Sequence, residues 1–127
     1  MKAHSSSLRR RSLLAAGGAS IALPQWSLAQ ARPVSLIVSY PAGGGADLMA
    51  RLIAPHLSRY LGQNVVVDNK PGASGQIAAA QVAKAAPDGN TLLLDASSFA
   101  VNPSLFPKLP YDSDKDFTPI GIVAQFP

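Results

Sequence analysis

One stretch constrains this chain more than any other: Val34-Ser35-Leu36-Ile37-Val38-Ser39-Tyr40-Pro41-Ala42-Gly43-Gly44-Gly45-Ala46-Asp47. A short apolar, β-branched run bounded by Pro and Gly reads as a buried strand. Leu48, Leu52, Ile53, His56, Leu57, Tyr60 and Leu61 then recur at helical spacing, which predicts a helix from Ala46 to about Leu61. Strand, glycine turn, helix is the local plan. Gly43, Gly44 and Gly45 carry no Cβ, so the amides from Gly43 to Ala46 can approach a ligand closely, with Asp47 at the helix start; that geometry suits an anion. The plainer reading is that glycine only fits a tight strand-to-helix connection.

Two nucleotide motifs can be tested on the same residues. A phosphate-binding P-loop requires Lys-Ser or Lys-Thr after its last glycine, and none follows Gly45. The dinucleotide fingerprint Gly-x-Gly-x-x-Gly begins with Gly43 and Gly45 but meets Leu48 at the third position. Asp68, at the end of the next predicted strand and about 20 residues on, lies where a ribose-binding acid would stand. An exported Rossmann-type nucleotide-dependent oxidoreductase therefore stays open as the alternative reading.

The formal charge of +4 invites a nucleic-acid partner until the charges are located. Lys2, Arg9, Arg10 and Arg11 lie in the first dozen residues, leaving seven basic residues against seven aspartates from Arg32 onward. A neutral body has no phosphate-neutralising footprint, so no nucleic-acid partner is expected. Cysteine is absent, which removes disulfides, thiolate metal sites and cysteine nucleophiles. Arg9 to Arg11, the modest apolar run Leu13 to Leu23 and Ala29-Gln30-Ala31 have the anatomy of an export signal cleaved near Ala31, with a twin-arginine-like Arg10-Arg11 pair. The run is too short to span a membrane, so no stable insertion is expected after cleavage.

In the body, Pro55 should kink or loosen the first helix, and Gly62 should cap its C-terminus. His56 reads as a packing or surface residue, having no second ligand at metal spacing. Val65 to Asp68 reads as a parallel strand covered on both faces. Asn69 to Gly75 repeats the opening device, with Ser74 as the expected N-cap of an alanine-rich helix from Gln76 to about Ala85. Gly72-Ala73-Ser74-Gly75 is one residue too short for a hydrolase nucleophile elbow. Thr91 to Leu94 is the third strand, after which Asp95, Ser97, Ser98 and Asn102-Pro103 gather polar groups. Open α/β sheets bind ligands outside the carboxyl ends of their strands, where all three polar segments fall. Leu105 to Phe117 reads as a surface excursion with solvated charges; Asp112, Asp114 and Asp116 alternate as in a calcium loop but lack its glycine and glutamate. Thr118 to Pro127 reads as a fourth strand at which an α/β chain would normally not stop, so a truncated N-terminal piece is expected.

Taken together, Tyr40-Pro41-Ala42-Gly43-Gly44-Gly45-Ala46-Asp47, Leu61 to Gly75, Ala83 to Gly89, Ala100 to Leu105 and Leu109-Pro110-Tyr111-Asp112 resemble the substrate-binding proteins of tripartite tricarboxylate transporters, the Bug receptors. The resemblance runs from Arg32 to the end. It implies a periplasmic-binding-protein-like (type II) α/β open sheet, with residues 32–127 as a partial first domain of two. It implies a receptor that binds a small carboxylated solute in the periplasm, delivers it to membrane permease subunits, catalyses no reaction and needs no cofactor. The ligand carboxylate would be held largely by backbone amides of the loops after the first two strands. Here those are Gly43, Gly44, Gly45, Ala46 and Asp47, then Gly72, Ala73, Ser74 and Gly75, with Ser97, Ser98 and Asn102 as weaker candidates. The family usually has Arg or Lys before its Pro-Gly pair, met by Lys70, and often a glycine where Ser74 stands. Gly44 is expected to need a backbone angle only glycine tolerates, or to lie against the ligand.

Overall fold

A computed structural model of the chain describes residues 32–125. The export-signal residues 1–31 lie outside the described residues, as do 126–127. The elements run β1 (Val34–Val38), α1 (Gly45–Leu61), β2 (Val65–Asn69), a single 3₁₀ turn (Ala73–Gly75), α2 (Gln76–Ala83), β3 (Thr91–Leu94) and α3 (Ser97–Leu105). The strands form one parallel sheet in the order β2-β1-β3. Val34 stands opposite Val65 and Val38 opposite Asn69, while Ser35 stands opposite Thr91 and Val38 opposite Leu94.

Side chains alternate across a strand, and the sequence uses both faces of β1. Val34, Leu36 and Val38 pack with Val65 against Ala50 and Ala54 of α1, with Ile53, Leu57, Val67, Leu92 and Leu94 closing the cluster. Ile37 points to the other face and is fully buried, and α2, whose Ala78 and Ala79 are fully buried, packs on β1 and β3. Right-handed crossovers with this strand order put α1 and α2 on opposite faces. Each large apolar side chain so buried is worth about 1.5–3 kcal/mol.

The predicted face of α1 needs correction. Ala50, Ala54 and Asp47 are its buried residues, whereas Leu48 is 63% exposed and Leu52, His56 and Tyr60 are exposed too. A helix lying close on a sheet seats its small residues at the contact. The helix runs unbroken through Pro55, and Gly62 ends it in the left-handed conformation (φ 65°). His56 Nδ1 accepts a hydrogen bond from the Arg59 guanidinium (2.9 Å) on that exposed face.

α2 starts at Gln76 as expected and ends at Ala83, near the expected end at about Ala85. Two further expectations fail. No strand forms over 118–125: Pro119 lacks a donor, nothing among the described residues pairs with the segment, and Ile120 and Ile122 stand 82% and 84% exposed. Among the described residues β2 is an edge strand with Val66 exposed, where a strand covered on both faces was expected. Part of the Leu105–Phe117 excursion is anchored, because Tyr111 is buried, stacks on Phe99 (centroids 5.8 Å) and meets Phe117 edge-on (5.6 Å). The alternating aspartates form no cation cage. Asp112 accepts from the amides of Asp114 and Lys115 and pairs with the Lys115 ammonium (2.9 Å), while Asp116 turns back to the Asp112 amide.

Candidate functional site

The strand order reverses direction at β1: its two neighbours are reached by crossovers on opposite sides. The crevice between the carboxyl ends of β1 and β3 is therefore the switch point at which open α/β sheets bind ligands. Three segments meet there: the glycine turn before α1, the turn before α2, and the start of α3.

At the first turn the polypeptide leaves β1 through Ser39, which is buried and donates both its amide (3.3 Å) and its hydroxyl (3.5 Å) to the Leu94 carbonyl. Gly43 takes the left-handed conformation (φ 84°), whereas Gly44, the residue before α1, is extended (φ −80°, ψ 171°). The special backbone angle thus falls on Gly43 and not on Gly44. No side chain caps α1. Its first-turn amides, Gly45, Ala46 and Asp47, have no intrahelical acceptor and lie at the positive end of the helix dipole. Gly43 and Gly45 are exposed and have open space where a Cβ would be.

Asp47 serves the turn itself. It is only 4% exposed, and its Oδ2 accepts from the Gly43 amide (2.8 Å) and from Arg51 Nε (3.0 Å). Arg51 donates onward to Asn69 Oδ1 (3.2 Å), and Asn69 Nδ2 donates to the Tyr40 carbonyl (3.1 Å). This chain ties the turn to the end of β2. The Arg51 hydrogen bond, then the Gly43 amide, hold the Asp47 carboxyl down at about 2. A group depressed in the folded state contributes stability that is complete above its unfolded value and is lost as pH falls through the folded one. Unfolding stability should accordingly decline from about pH 4 down to about pH 2 through this carboxylate. In urea melts across that window, Asp47→Asn should flatten the decline; an unchanged slope would show that the Asp47 network is not formed.

The second turn has the most unusual backbone among the described residues. Gly72 (φ 133°), Ala73 (46°), Ser74 (53°) and Gly75 (81°) all have positive φ. A left-handed non-glycine residue costs roughly 1–2 kcal/mol, and two in succession persist only where surroundings hold them. Ser74 is therefore not the N-cap of α2. Gly75 takes that position, no side chain caps it, and the amide of Gly75 bonds back to the Gly72 carbonyl (3.0 Å). Gly75 is buried: a Cβ there would lie 2.6 Å from Asp95 Oδ2, 3.3 Å from Ser39 Cβ and 3.4 Å from Ser98 Oγ.

The third segment begins α3, a helix the sequence did not suggest. Asp95 Oδ1 accepts from the Ala96 amide and the Ser98 hydroxyl (2.6 and 2.5 Å). Ser98 Oγ also bonds Tyr40 Oη (3.0 Å), and Asn102 Nδ2 donates to the Ser74 carbonyl (2.8 Å) and Tyr111 Oη (3.2 Å). Of the residues singled out from sequence, Gly43 to Ala46 and Gly72 to Gly75 lie in the two turns at one sheet edge. Ser97 is exposed, whereas Asp47 Oδ2, Ser98 Oγ and Asn102 Nδ2 are bonded within the protein, and Asp47 Oδ1 and Asn102 Oδ1 are buried without a partner among the described residues. Asp95 was placed among the polar groups after β3 but not as a site residue, and Tyr40, Arg51, Asn69 and Tyr111 were not singled out for a role; for Arg51 the spacing of four from Asp47, the helical ion-pair interval, was the available signal. Asp68 pairs with Lys70 (3.3 Å) within the β2 end.

Two substitutions separate backbone need from ligand proximity. Gly43→Ala should cost about 1–2 kcal/mol for its positive φ, whereas Gly44→Ala keeps its φ and meets only the Pro41 carbonyl at 3.3 Å. His56→Ala should change neither folding nor binding; a larger effect there than at Gly43, by denaturant titration, would place the critical geometry elsewhere.

This parallel α/β fold is that of periplasmic solute-binding proteins. It matches the periplasmic binding protein BugD with a TM-score of 0.68 at 44% identity, covering 72% of this chain and 30% of that one. MatC from Rhodopseudomonas palustris, solved with bound malate, matches with a TM-score of 0.63 at 44% identity, over 70% and 31% of the two chains. Protein BugT of Bordetella pertussis is 48% identical over 99 residues, 76% of this chain and 30% of its own. The profile of the tripartite tricarboxylate transporter family receptor matches residues 49–127, and the chain belongs to that family. It spans less than a third of the length of the curated relatives it matches. No described helix is long and apolar enough to cross a membrane.

Proposed function

We propose that the whole protein is a periplasmic receptor that captures a small carboxylated solute and delivers it to the permease subunits of a tripartite tricarboxylate-type transporter. On this reading residues 1–31 are the export signal, and residues 32–127 are the N-terminal part of the first of two domains. The observation that carries the reading is the pair of helix starts without side-chain caps, at Gly45 and Gln76, on one carboxyl edge of the sheet, with the Gly75 and Gln76 amides of the second bonded back to the Gly72 and Ala73 carbonyls. A carboxylate there gains charge-assisted hydrogen bonds from amides and the favourable end of two helix dipoles. Because amides recognise only the carboxylate, the rest of the solute is selected by other surfaces. The malate held by MatC makes a four-carbon dicarboxylate the first probe.

Titration of the whole protein by calorimetry tests the proposal. Saturable binding of malate or a related dicarboxylate, with no response to NAD or FAD, is expected. Binding of a dinucleotide without carboxylate binding would favour the oxidoreductase reading instead.

A further inference from the structure

Resting on that reading of the site, we infer that α3 is a bracket that fixes the spacing of the two carboxylate-binding turns, and that Ser98 and Asn102 are its positioning residues. They are four apart, so they share one face of the helix. Each reaches a different turn. Ser98 Oγ bonds the hydroxyl of Tyr40, the residue that leads into the first glycine turn (3.0 Å). Asn102 Nδ2 bonds the carbonyl of Ser74 at the centre of the second (2.8 Å).

The chemistry of the second contact is directional. A carbonyl oxygen can only accept, so the Asn102 amide must present its NH₂ there. That NH₂ has two hydrogens; the other goes to Tyr111 Oη, and Tyr111 is itself pinned by stacking on Phe99. Asn102 is 1% exposed; both hydrogens of its NH₂ are taken by these two acceptors, while its Oδ1 is buried without a partner among the described residues. What those bonds hold is the left-handed Ala73–Ser74 pair, a conformation that would otherwise relax and swing the amides before α2 out of place. The first contact is braced in the same way, because Ser98 is also bonded to Asp95 at the end of β3. Moving either end of α3 moves one turn relative to the other, and a carboxylate that spans both helix starts reads their separation. The bracket thus acts on affinity through geometry, with neither side chain touching the solute.

Asn102→Asp tests this in the whole protein, because it keeps size and shape but sets an oxygen against the Ser74 carbonyl. Malate affinity should fall about tenfold or more, the loss of roughly one hydrogen bond expressed at about 1.4 kcal/mol per decade. Ser98→Ala should also weaken binding and Ser98→Thr, which restores the hydroxyl, should recover it. In ¹⁵N spectra of the ligand-free protein, Asn102→Asp should displace the amide signals of Ala73 to Gly75, a response that general loss of stability does not localise. Wild-type binding with unaltered affinity and unaltered Ala73–Gly75 signals in Asn102→Asp would overturn the bracket alone. Absence of carboxylate binding by the wild type would overturn the receptor reading and the bracket's role with it. Should Asn102→Asp not fold, the Ser98→Ala and Ser98→Thr pair decides: equal affinities in both overturn the bracket.

Discussion

Gly75→Val is expected to abolish carboxylate binding and to lower unfolding stability by about 2–5 kcal/mol. Two costs add. The residue sits at φ 81°, where a β-branched side chain is a backbone outlier worth roughly 1–2 kcal/mol. Its Cβ would also lie 2.6 Å from Asp95 Oδ2 and 3.3 Å from Ser39 Cβ, with the Asp95 carboxylate already fixed by Ser98 and Ala96. Overpacking of that kind costs a further 1–3 kcal/mol or so. Gly72 makes an instructive contrast. A Cβ there meets Ile77 Cδ1 at 2.6 Å, but Ile77 is exposed and free to turn away, so Gly72→Ala is governed by its φ of 133° alone. Denaturant melts and malate titration of the whole protein check both; wild-type affinity in Gly75→Val would remove the second turn from the site.

The second large effect concerns residues 32–127 expressed alone, which should aggregate or unfold over a broad, noncooperative range. β2 and β3 are both edges of a three-stranded sheet, and open edges recruit other strands. Leu48, Leu52, Ile120 and Ile122 stand exposed. A domain of this size has only about 5–15 kcal/mol of net stability when its surfaces are covered, so uncovered apolar area and edges consume a large part of it. No saturable malate binding is expected below about 1 mM. A sharp two-state melt by calorimetry, together with micromolar affinity, would show instead that this segment is self-sufficient.

The glycine turns, three strands and two helices were legible because each is written in local chemistry: apolar runs bounded by Pro, Gly and Asn, and a helical period with Gly62 at its end. α3 was not, because Asn102-Pro103 reads as a turn and the residue before a proline is biased away from helix. Here the Asn102 side chain, tied to Ser74 and Tyr111, outweighs that bias. Ser74 misled for a related reason. A serine before a helix is ordinarily its cap, yet the conformation of this one is set by residues more than twenty positions away. The burial of Asp47 and of alanines in place of leucines on α1 follows from close helix–sheet approach, which periodicity weighs poorly. The strand expected after Thr118 needed a partner that local pattern cannot supply.

¹⁵N-resolved titration of the whole protein with malate shows whether amides at the two helix starts hold the carboxylate. The amides of Gly44 to Asp47 and of Ala73 to Ile77 should shift together, saturating at one concentration. Saturable shifts confined to other surfaces, such as the groove between α1 and β2 lined by Arg51, Ser58, Arg59 and Val66, with the two turns unmoved, would contradict that assignment.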